Sequence, residues 1–440
     1  MTVAQRLGAY GAALQGATLD AEVLHHAKRA VIDWHAAWIP GAVEAPATLL
    51  EQALADDLDR GPARLASGRQ ATARTAALIN GTAAHTVEVD DIFREAIYHP
   101  GAPTIAAALA QAQARQASGL DFLAAVVAGY EISTRIGATL GRAHYRYWHN
   151  TGTVGSFGAA AAGASLLRLD AHAYTHALCT AATLASGLQQ AFRMDSMSKP
   201  LHAGHAAQAG LMAAQMAGAG VTGSLDVIDG EAGLGRAMGD GPDWTATTAT
   251  LGEVFHITGM TFKNHACCGH TFAPIDGALM LKESRHIEAD QIRRIRIATY
   301  RPALDVAGNP APVTAAEARF SIPFVVATAL LHGSVRLAAF ADERLADPRI
   351  RALMTRIELT VDDTLDRAFP GQRAAQVTIE TLDGQVHSHL QPTRKGDPDA
   401  PLSDQDLDDK FLELASPVLG DAAARSLLQK LWRLETCESV

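Results

Sequence analysis

Apolar residues are spaced differently in the two parts of this chain, and the change falls near residue 285. In the first part they recur every three or four positions, which is the spacing of helices with one buried face. In two segments Ala and Gly surround most of the helix, a composition typical of closely packed interior helices. The pattern predicts helix after helix from residue 1 to about 250. The clearest helical segments are residues 19–39, 102–116, 120–137, 155–169 and 204–220.

Beyond residue 285, apolar and polar residues alternate, which predicts strands with one buried face. Two alternating runs are joined by Asp383-Gly384, a pair that favours a tight hairpin turn. A buried helix that ends at Gly333 interrupts the strands, and helices resume after a segment rich in Pro and Asp. The predicted strands lie in residues 292–300, 356–363 and 376–390, the helix in residues 321–335 and the Pro-rich segment in residues 392–401.

This order of elements predicts a mostly α fold with two domains. The larger domain is all-helical and comprises residues 1–258 and 395–440, so that the last helices return to it. The smaller domain is α+β and comprises residues 259–394.

Composition narrows the class of protein. The 440 residues carry a net charge of −10 and no basic stretch that would attract nucleic acid. The four cysteines include one adjacent pair and no C-x-x-C, which favours neither a disulfide framework nor a zinc ribbon. No charge-free apolar stretch reaches roughly 18 residues, and the first residues lack the pattern of a secretory signal. We expect a reduced, cytoplasmic protein that binds neither membranes nor nucleic acid.

The first segment with candidate chemistry, residues 85–101, contains four carboxylates, among them Glu88, Asp90 and Asp91, and ends in His-Pro-Gly. Because proline disfavours helical backbone in the residue before it, His99 should lie on a turn just ahead of a helix. Asp90 and Asp91 could set the tautomer of that ring. Either carboxylate could equally cap the following helix, and the residues alone leave both readings open.

The second segment, residues 147–158, combines His149 with Thr151 and Thr153 at the start of a Gly-rich helix. Exposed backbone N–H groups at such a start favour an anion such as a carboxylate. His149 could then exchange a proton with the bound molecule. Simple N-capping by a threonine explains the same residues without any ligand.

The third and fourth segments, residues 195–207 and 262–278, each contain one Lys and two His. Lys199 precedes a proline and should lie on an extended turn, where its ammonium group could hold a carboxylate. A zinc site built from the histidines, or a nucleophile pair with Cys268, lacks a recognisable spacing. The remaining candidates in these segments are His202, His205, Lys263, His265 and His270.

Taken in order, these segments resemble the MmgE/PrpD family, whose best-known members are 2-methylcitrate dehydratase, cis-aconitate decarboxylase and iminodisuccinate epimerase. The resemblance covers most of the chain. It implies a helical domain with an α+β lid, a homodimer, an active site in the cleft between the domains, and no metal or other cofactor. The matching blocks are residues 80–101, 149–170, 197–217, 268–279 and 318–333.

The resemblance also implies roles for particular residues. The substrate would be a small di- or tricarboxylate, and the chemistry would be proton transfer at a carbon next to a carboxylate. The implied catalytic residues are His99, His149, Lys199, Asp90 and Asp91. The implied substrate-binding residues are Lys263, His270, Thr151, Thr153, His202, Glu88 and Phe324.

Four positions depart from the family pattern and bear on the choice of substrate. Glu88 stands where decarboxylase-like members often have Asp, Ile92 where Thr is common, Phe324 where Tyr is frequent, and His205 where Arg or another residue often occurs. We predict dehydration as the reaction, with decarboxylation or epimerisation as alternatives. A carboxylate-binding relative without catalysis and a zinc hydrolase are the two remaining alternatives.

Overall fold

The computed structural model describes residues 1–192, 196–369 and 371–440, and the chain forms two compact units. Unit 1 comprises residues 1–262 and 403–440, and unit 2 comprises residues 263–402. The described chain is 60% helical with 10% strand, so the predicted mostly α fold is confirmed. Among the described residues, no helix is both long and apolar enough to cross a membrane.

Unit 1 is built mainly from helices, several of which begin with a capping Thr, Ser or Asp side chain, as at Thr2, Thr72, Ser118 and Asp170. Its helices are α1 (Val3–Leu14), α2 (Ala21–Gly41), α3 (Ala47–Ala53), α4 (Ala73–Thr86), α5 (Gly101–Arg115), α6 (Gly119–Tyr145), α7 (Asn150–Thr153), α8 (Gly155–Leu166), α9 (Ala171–Leu184), α10 (Ser198–Gly218), α11 (Leu234–Ala237), α19 (Asp404–Leu419) and α20 (Asp421–Leu431).

Small residues let these helices approach closely, as their composition predicts. Every residue of α8 is buried. A Cβ atom on Gly210 of α10 would lie 2.3 Å from the carbonyl oxygen of Ser156, and one on Gly41 of α2 would lie 1.9 Å from that of Ala83. Substitution by alanine at either glycine would therefore force backbones apart, because real Cβ contacts are never that short.

The prediction that this part of the chain is entirely helical is wrong in one place. Strand β1 (Leu58–Arg64) pairs antiparallel with the two-residue strand β2 (Gln70–Ala71), and the register shifts between Leu58 and Ala63. The alternation in β1 is weak because Gly61 and Pro62 interrupt it.

The C-terminal helices lie in unit 1, where α19 packs against α2. Lys410 of α19 is 1% exposed, and its Nζ lies 2.5 Å from Asp33 Oδ1 and 2.7 Å from the carbonyl oxygen of Val89. A buried ammonium group is stable only with such partners. This contact ties the C-terminal helices to the segment that precedes Asp90.

Unit 2 contains helices and a sheet. Its elements are α12 (Phe272–Arg285), β3 (Ile292–Thr299), α13 (Arg301–Ala307), α14 (Ala315–Ala318), α15 (Ile322–His332), α16 (Asp342–Leu345), α17 (Pro348–Met354), β4 (Ile357–Val361), α18 (Asp363–Ala368), β5 (Ala375–Thr381) and β6 (Val386–Gln391). The four strands form a sheet of order β4-β3-β5-β6, in which β3 pairs parallel with β4 and antiparallel with β5. β5 and β6 form the predicted hairpin, with Gly384 at φ 85° in its turn. Helix α12 packs on β5 and β6.

Candidate functional site

Unit 1 contains a buried carboxylate in contact with two imidazole rings. Asp90 Oδ2 is 2.7 Å from Nδ1 of His85 and 3.2 Å from Nδ1 of His99. His85 Nδ1 forms a hydrogen bond with this oxygen, and because an ionised carboxylate only accepts hydrogen bonds, the hydrogen of that ring sits on Nδ1. The contact of His99 is an ion pair by distance. His85 is fully buried, whereas the His99 side chain is 13% exposed. His99 is therefore the ring of this pair that a small molecule can reach.

The backbone between these residues explains how they meet. Helix α4 ends at Thr86, and Glu88 adopts a left-handed conformation with φ 62°, which turns the chain back beneath His85. Phe93 and Tyr98 then pair across a short loop, through N–H to carbonyl bonds of 2.7 and 3.2 Å. This loop reverses the direction of the chain and brings the His99 ring into contact with Asp90.

Asp90 is ionised in this environment. Burial by itself raises the pKa of the carboxyl group, but the charges and hydrogen bonds of His85 and His99 outweigh burial and hold that pKa well below its usual range. Sequence reasoning gave His85 no role, and its only local signal is its place at the end of α4, five residues before Asp90.

Asp91 has a different environment from its neighbour. Its Oδ1 accepts a hydrogen bond of 3.0 Å from the Gly101 backbone N–H, and its Oδ2 lies 2.7 Å from the Tyr130 hydroxyl. Burial and then the negative charge of Asp33 raise the pKa of Asp91 to about 8. The geometry thus gives Asp91 the capping role at the start of α5, and only Asp90 is placed to orient His99 as both carboxylates were expected to do.

A second imidazole pair adjoins the first. His149 stacks on His85 with ring centroids 5.5 Å apart, and its Nδ1 lies 3.1 Å from Nδ1 of His202. Burial, followed by the positive charges of His85, Lys199 and other histidines, lowers the pKa of His149 well below its usual value. Burial and nearby cationic groups also lower the pKa of His202 to about 4. Both rings are therefore neutral at pH 7, and one donates to the other.

The ammonium group of Lys199 supplies positive charge beside these rings. It forms an ion pair with Glu88 and lies 5.2 Å from the centroid of Phe192, whose edge meets the His149 ring. The prediction that Lys199 lies on an extended turn is wrong, because α10 already begins at Ser198. Pro200 is tolerated in the first turn, where backbone N–H groups lack helical partners in any case.

Two of the backbone amides near Thr151 and Thr153, where an anion site is expected, already have partners within the chain. The N–H groups of Gly152 and Thr153 both bond to the carbonyl oxygen of His149, at 2.9 and 3.1 Å. Thr151 Oγ1 accepts a hydrogen bond of 3.3 Å from the His99 backbone N–H, and Thr153 Oγ1 lies 2.7 Å from Nε2 of His144. These hydroxyls hold the loops that carry His99 and His149.

Unit 2 holds the remaining predicted residues. Lys263 is 7% exposed. His270 Nδ1 lies 2.8 Å from the Tyr300 hydroxyl, and burial, then the charges of Arg373 and Arg394, lower the pKa of His270 to about 4. Phe324 is fully buried in α15, where its ring packs near Phe340. Its side chain thus forms part of the interior of unit 2.

His265 and Cys268, the candidates for a nucleophile pair in the fourth segment, also lie in unit 2. His265 Nε2 lies 2.8 Å from Asp276 Oδ1, and both side chains are buried. Burial raises the pKa of the Cys268 thiol, which disfavours the reactive thiolate. Cys268 therefore lacks the environment of a nucleophile.

A metal ion could in principle be held by His85, Asp90 and His99, since their ligand atoms lie within 4.8 Å of one another. The hydrogen bond from His85 and the ion pair between His99 and Asp90 explain the same distances. His202 and His205 of the proposed zinc pair diverge: His202 contacts His149, and His205 Nε2 lies 3.4 Å from the Leu184 carbonyl oxygen.

The fold and these clustered histidines, carboxylates and lysine agree with the family that the sequence matches. The chain belongs to the MmgE/PrpD family: the N-terminal domain of the family matches residues 5–247 and the C-terminal domain matches residues 265–434. Its similarity to decarboxylases within that family supports assignment as a lyase.

Three relatives show the range of this similarity. A cis-aconitate decarboxylase-like protein of Aspergillus oryzae is 27% identical over 97% of this chain and 93% of its own. The human cis-aconitate decarboxylase is 29% identical over 82% of this chain and 77% of its own. The cis-aconitate decarboxylase of Aspergillus terreus is 24% identical over 83% of this chain and 80% of its own.

Proposed function

The side chains of His85, His99, His149 and His202, with Asp90 and Lys199, form what we call the histidine cluster of unit 1. We propose that this cluster is the catalytic centre of a metal-independent lyase that acts on a small polycarboxylate. The observation that carries the proposal is the meeting of three different groups: the Asp90-oriented ring of His99, the neutral ring of His149, and the ammonium group of Lys199. Such a set can hold a carboxylate and move a proton at the adjacent carbon.

Each group has a defined part in this reaction. His99 exchanges a proton through Nε2, because its Nδ1 lies 3.2 Å from the charged carboxylate of Asp90. His149 is neutral and can accept a proton, and His202 fixes its tautomer through the contact at 3.1 Å. Lys199 attracts a substrate carboxylate, for which it exchanges its present partner Glu88. Lys263 retains the carboxylate-binding role that the family resemblance implies.

Decarboxylation of cis-aconitate or a close analogue is the first reaction to test, because the relatives described above carry that name. Loss of carbon dioxide leaves the bonding electron pair on carbon, and the protonated His99 ring delivers the proton that completes the product. Lys199 stabilises the charge that remains on the neighbouring carboxylate. No electron acceptor or donor is needed for this balance.

Dehydration of a hydroxylated polycarboxylate is the second candidate. The side chains of Ile92 and Phe324 have no hydroxyl group, whereas the family pattern often provides one at each position. This departure from the family pattern counts against decarboxylation and in favour of dehydration. In this reaction a neutral ring removes the proton next to the carboxylate, and a protonated ring assists departure of the hydroxyl group as water.

A cytoplasmic homodimer with unit 2 as a lid forms part of the same proposal, and sedimentation velocity tests the dimer.

The test is a panel of cis-aconitate, citrate, 2-methylcitrate and iminodisuccinate, incubated with the full chain after chelation and followed by NMR. The proposal expects a product that has lost either carbon dioxide or water, and no dependence on added metal. Conversion restored only by a divalent ion would contradict it, as would binding of these acids without any product.

A further inference from the structure

Unit 1 contains a cavity of about 460 Å³ between α2, β1, α5, α6 and the C-terminal helices α19 and α20. Its volume lies in the range of small-molecule sites, roughly 300–1,000 Å³. In the described part of the chain, the residues of the histidine cluster do not line this cavity. The reaction proposed above therefore leaves it without a role.

The wall of the cavity is apolar because two helices turn regular stripes toward it. In α2, Val31, His35 and Ile39 follow one another at spacings of four, and in α20 Leu427 and Leu431 do the same. Residues at this spacing share one helix face. A cavity of this size with such walls suits a ligand whose body is hydrocarbon.

His35 keeps the apolar wall uncharged. Its Nδ1 lies 2.8 Å from the Val31 carbonyl oxygen, and because that oxygen only accepts, Nδ1 carries the hydrogen. Burial lowers the pKa of the ring to about 4, so His35 is neutral at pH 7. An ionic group of a ligand would gain nothing at this wall.

Positive charge lies instead on exposed side chains that line the cavity. Arg64 of β1 and Lys430 of α20 are both exposed, and none of the described residues that line the cavity is an Asp or a Glu. This balance contrasts with the net charge of −10 for the whole chain. The lining therefore favours a ligand with an anionic head beside its apolar body.

We propose that this cavity binds an amphipathic monocarboxylate, of the class of medium-chain fatty acids. The hydrocarbon chain lies against the stripes of α2 and α20, and the carboxylate lies near Arg64 and Lys430. The proposal does not depend on the reaction of the histidine cluster, since the two sites have no lining residue in common among those described.

Calorimetric titration of the full chain with octanoate tests this site, with 1-octanol and butyrate as the matched uncharged and short-chain probes. We expect one octanoate per chain, binding by butyrate at least tenfold weaker, and a loss of octanoate affinity of about tenfold in Arg64→Gln or Lys430→Gln. Arg425→Gln, on the same helix but outside the cavity, should leave the affinity unchanged. Octanol affinity should not respond to Lys430→Gln.

Filling the cavity provides the second arm. Val418 is 38% exposed and lines the cavity, so Val418→Trp should fold and abolish octanoate binding while turnover of the polycarboxylate is retained. Octanoate binding that survives this substitution, or no binding by the wild type, would overturn the proposal. Sedimentation velocity of the same variant distinguishes a fatty acid from a second copy of the chain as the occupant. Loss of a dimer in this variant would show that a second copy covers this face and would overturn the proposal.

Discussion

Replacing Asp90 by Asn removes the charge that orients His99 while keeping the shape of the side chain. Both rings contact the same oxygen, Asp90 Oδ2. The amide oxygen of Asn can take that place, but it accepts only as a neutral group, while the NH₂ group takes the buried place of Oδ1. Both rings therefore lose the negative charge that orients them. We expect kcat to fall by about 10²–10⁴, the range for losing a general acid or base or the carboxylate that orients it.

The expected loss of stability follows from the two contacts. Hydrogen bonds to charged groups contribute about 1.5–3 kcal/mol each, and a neutral bond about 1 kcal/mol. Each of the two contacts changes from a charged to a neutral acceptor, a loss of about 0.5–2 kcal/mol each, and removal of a buried charge offsets part of the loss. The result is a destabilisation of about 1–3 kcal/mol at pH 7. Because the pKa of Asp90 is depressed, this contribution is present above pH ~4 and is lost as pH falls through the pKa of the folded state.

Asp91→Asn is the matched control, since the adjacent carboxyl is buried equally but has a pKa of about 8 and is mostly protonated at pH 7. An amide there replaces one neutral group by another. Urea denaturation followed by tryptophan fluorescence, together with steady-state kinetics on the active substrate, compares the two variants. Equal loss of kcat in both variants, or full activity in Asp90→Asn, would refute the role given to Asp90.

Three further outcomes follow from the site. Between pH ~4 and 8 the folded state keeps the proton of Asp91, whereas the unfolded chain releases it. The free energy of unfolding of the wild type, relative to that of Asp91→Asn, should therefore fall by about 1.4 kcal/mol per pH unit from pH 5 to 7. A difference that stays constant with pH in urea titrations would contradict this. Lys199→Met should raise KM at least tenfold and lower kcat, and unchanged kinetics would exclude Lys199 from carboxylate binding. His85→Gln should lower kcat at least tenfold at unchanged KM, whereas an effect on KM alone would mean that His85 does not act through Asp90.

The sequence predicts elements whose signal is local. Strands β3 to β6 follow from period-two alternation, and their hairpin follows from Asp383-Gly384. The start of α10 was missed because Pro200 is read as a helix breaker, although the first helical turn tolerates it. β1 was missed because its partner β2 has only two residues and Gly61 must pass close to the Ala71 backbone.

The site could be predicted only in part, because its contacts are distant along the chain. His149 and His202 are 53 residues apart, and Glu88 and Lys199 are 111 apart. Family resemblance named these residues, but no local pattern gives their pairing. The different roles of Asp90, which contacts His99, and Asp91, which caps α5, depend on which side of the chain each faces after the left-handed turn at Glu88.

The central claim is that His99 transfers a proton at a carbon next to a carboxylate. The most direct measurement is NMR in deuterated water of the chelated wild type, His99→Gln, and the control His172→Gln on an exposed part of α9. We predict solvent deuterium at that carbon for the wild type and the control, and a loss of at least a hundredfold for His99→Gln with unchanged folding. Undiminished labelling by His99→Gln would contradict the account.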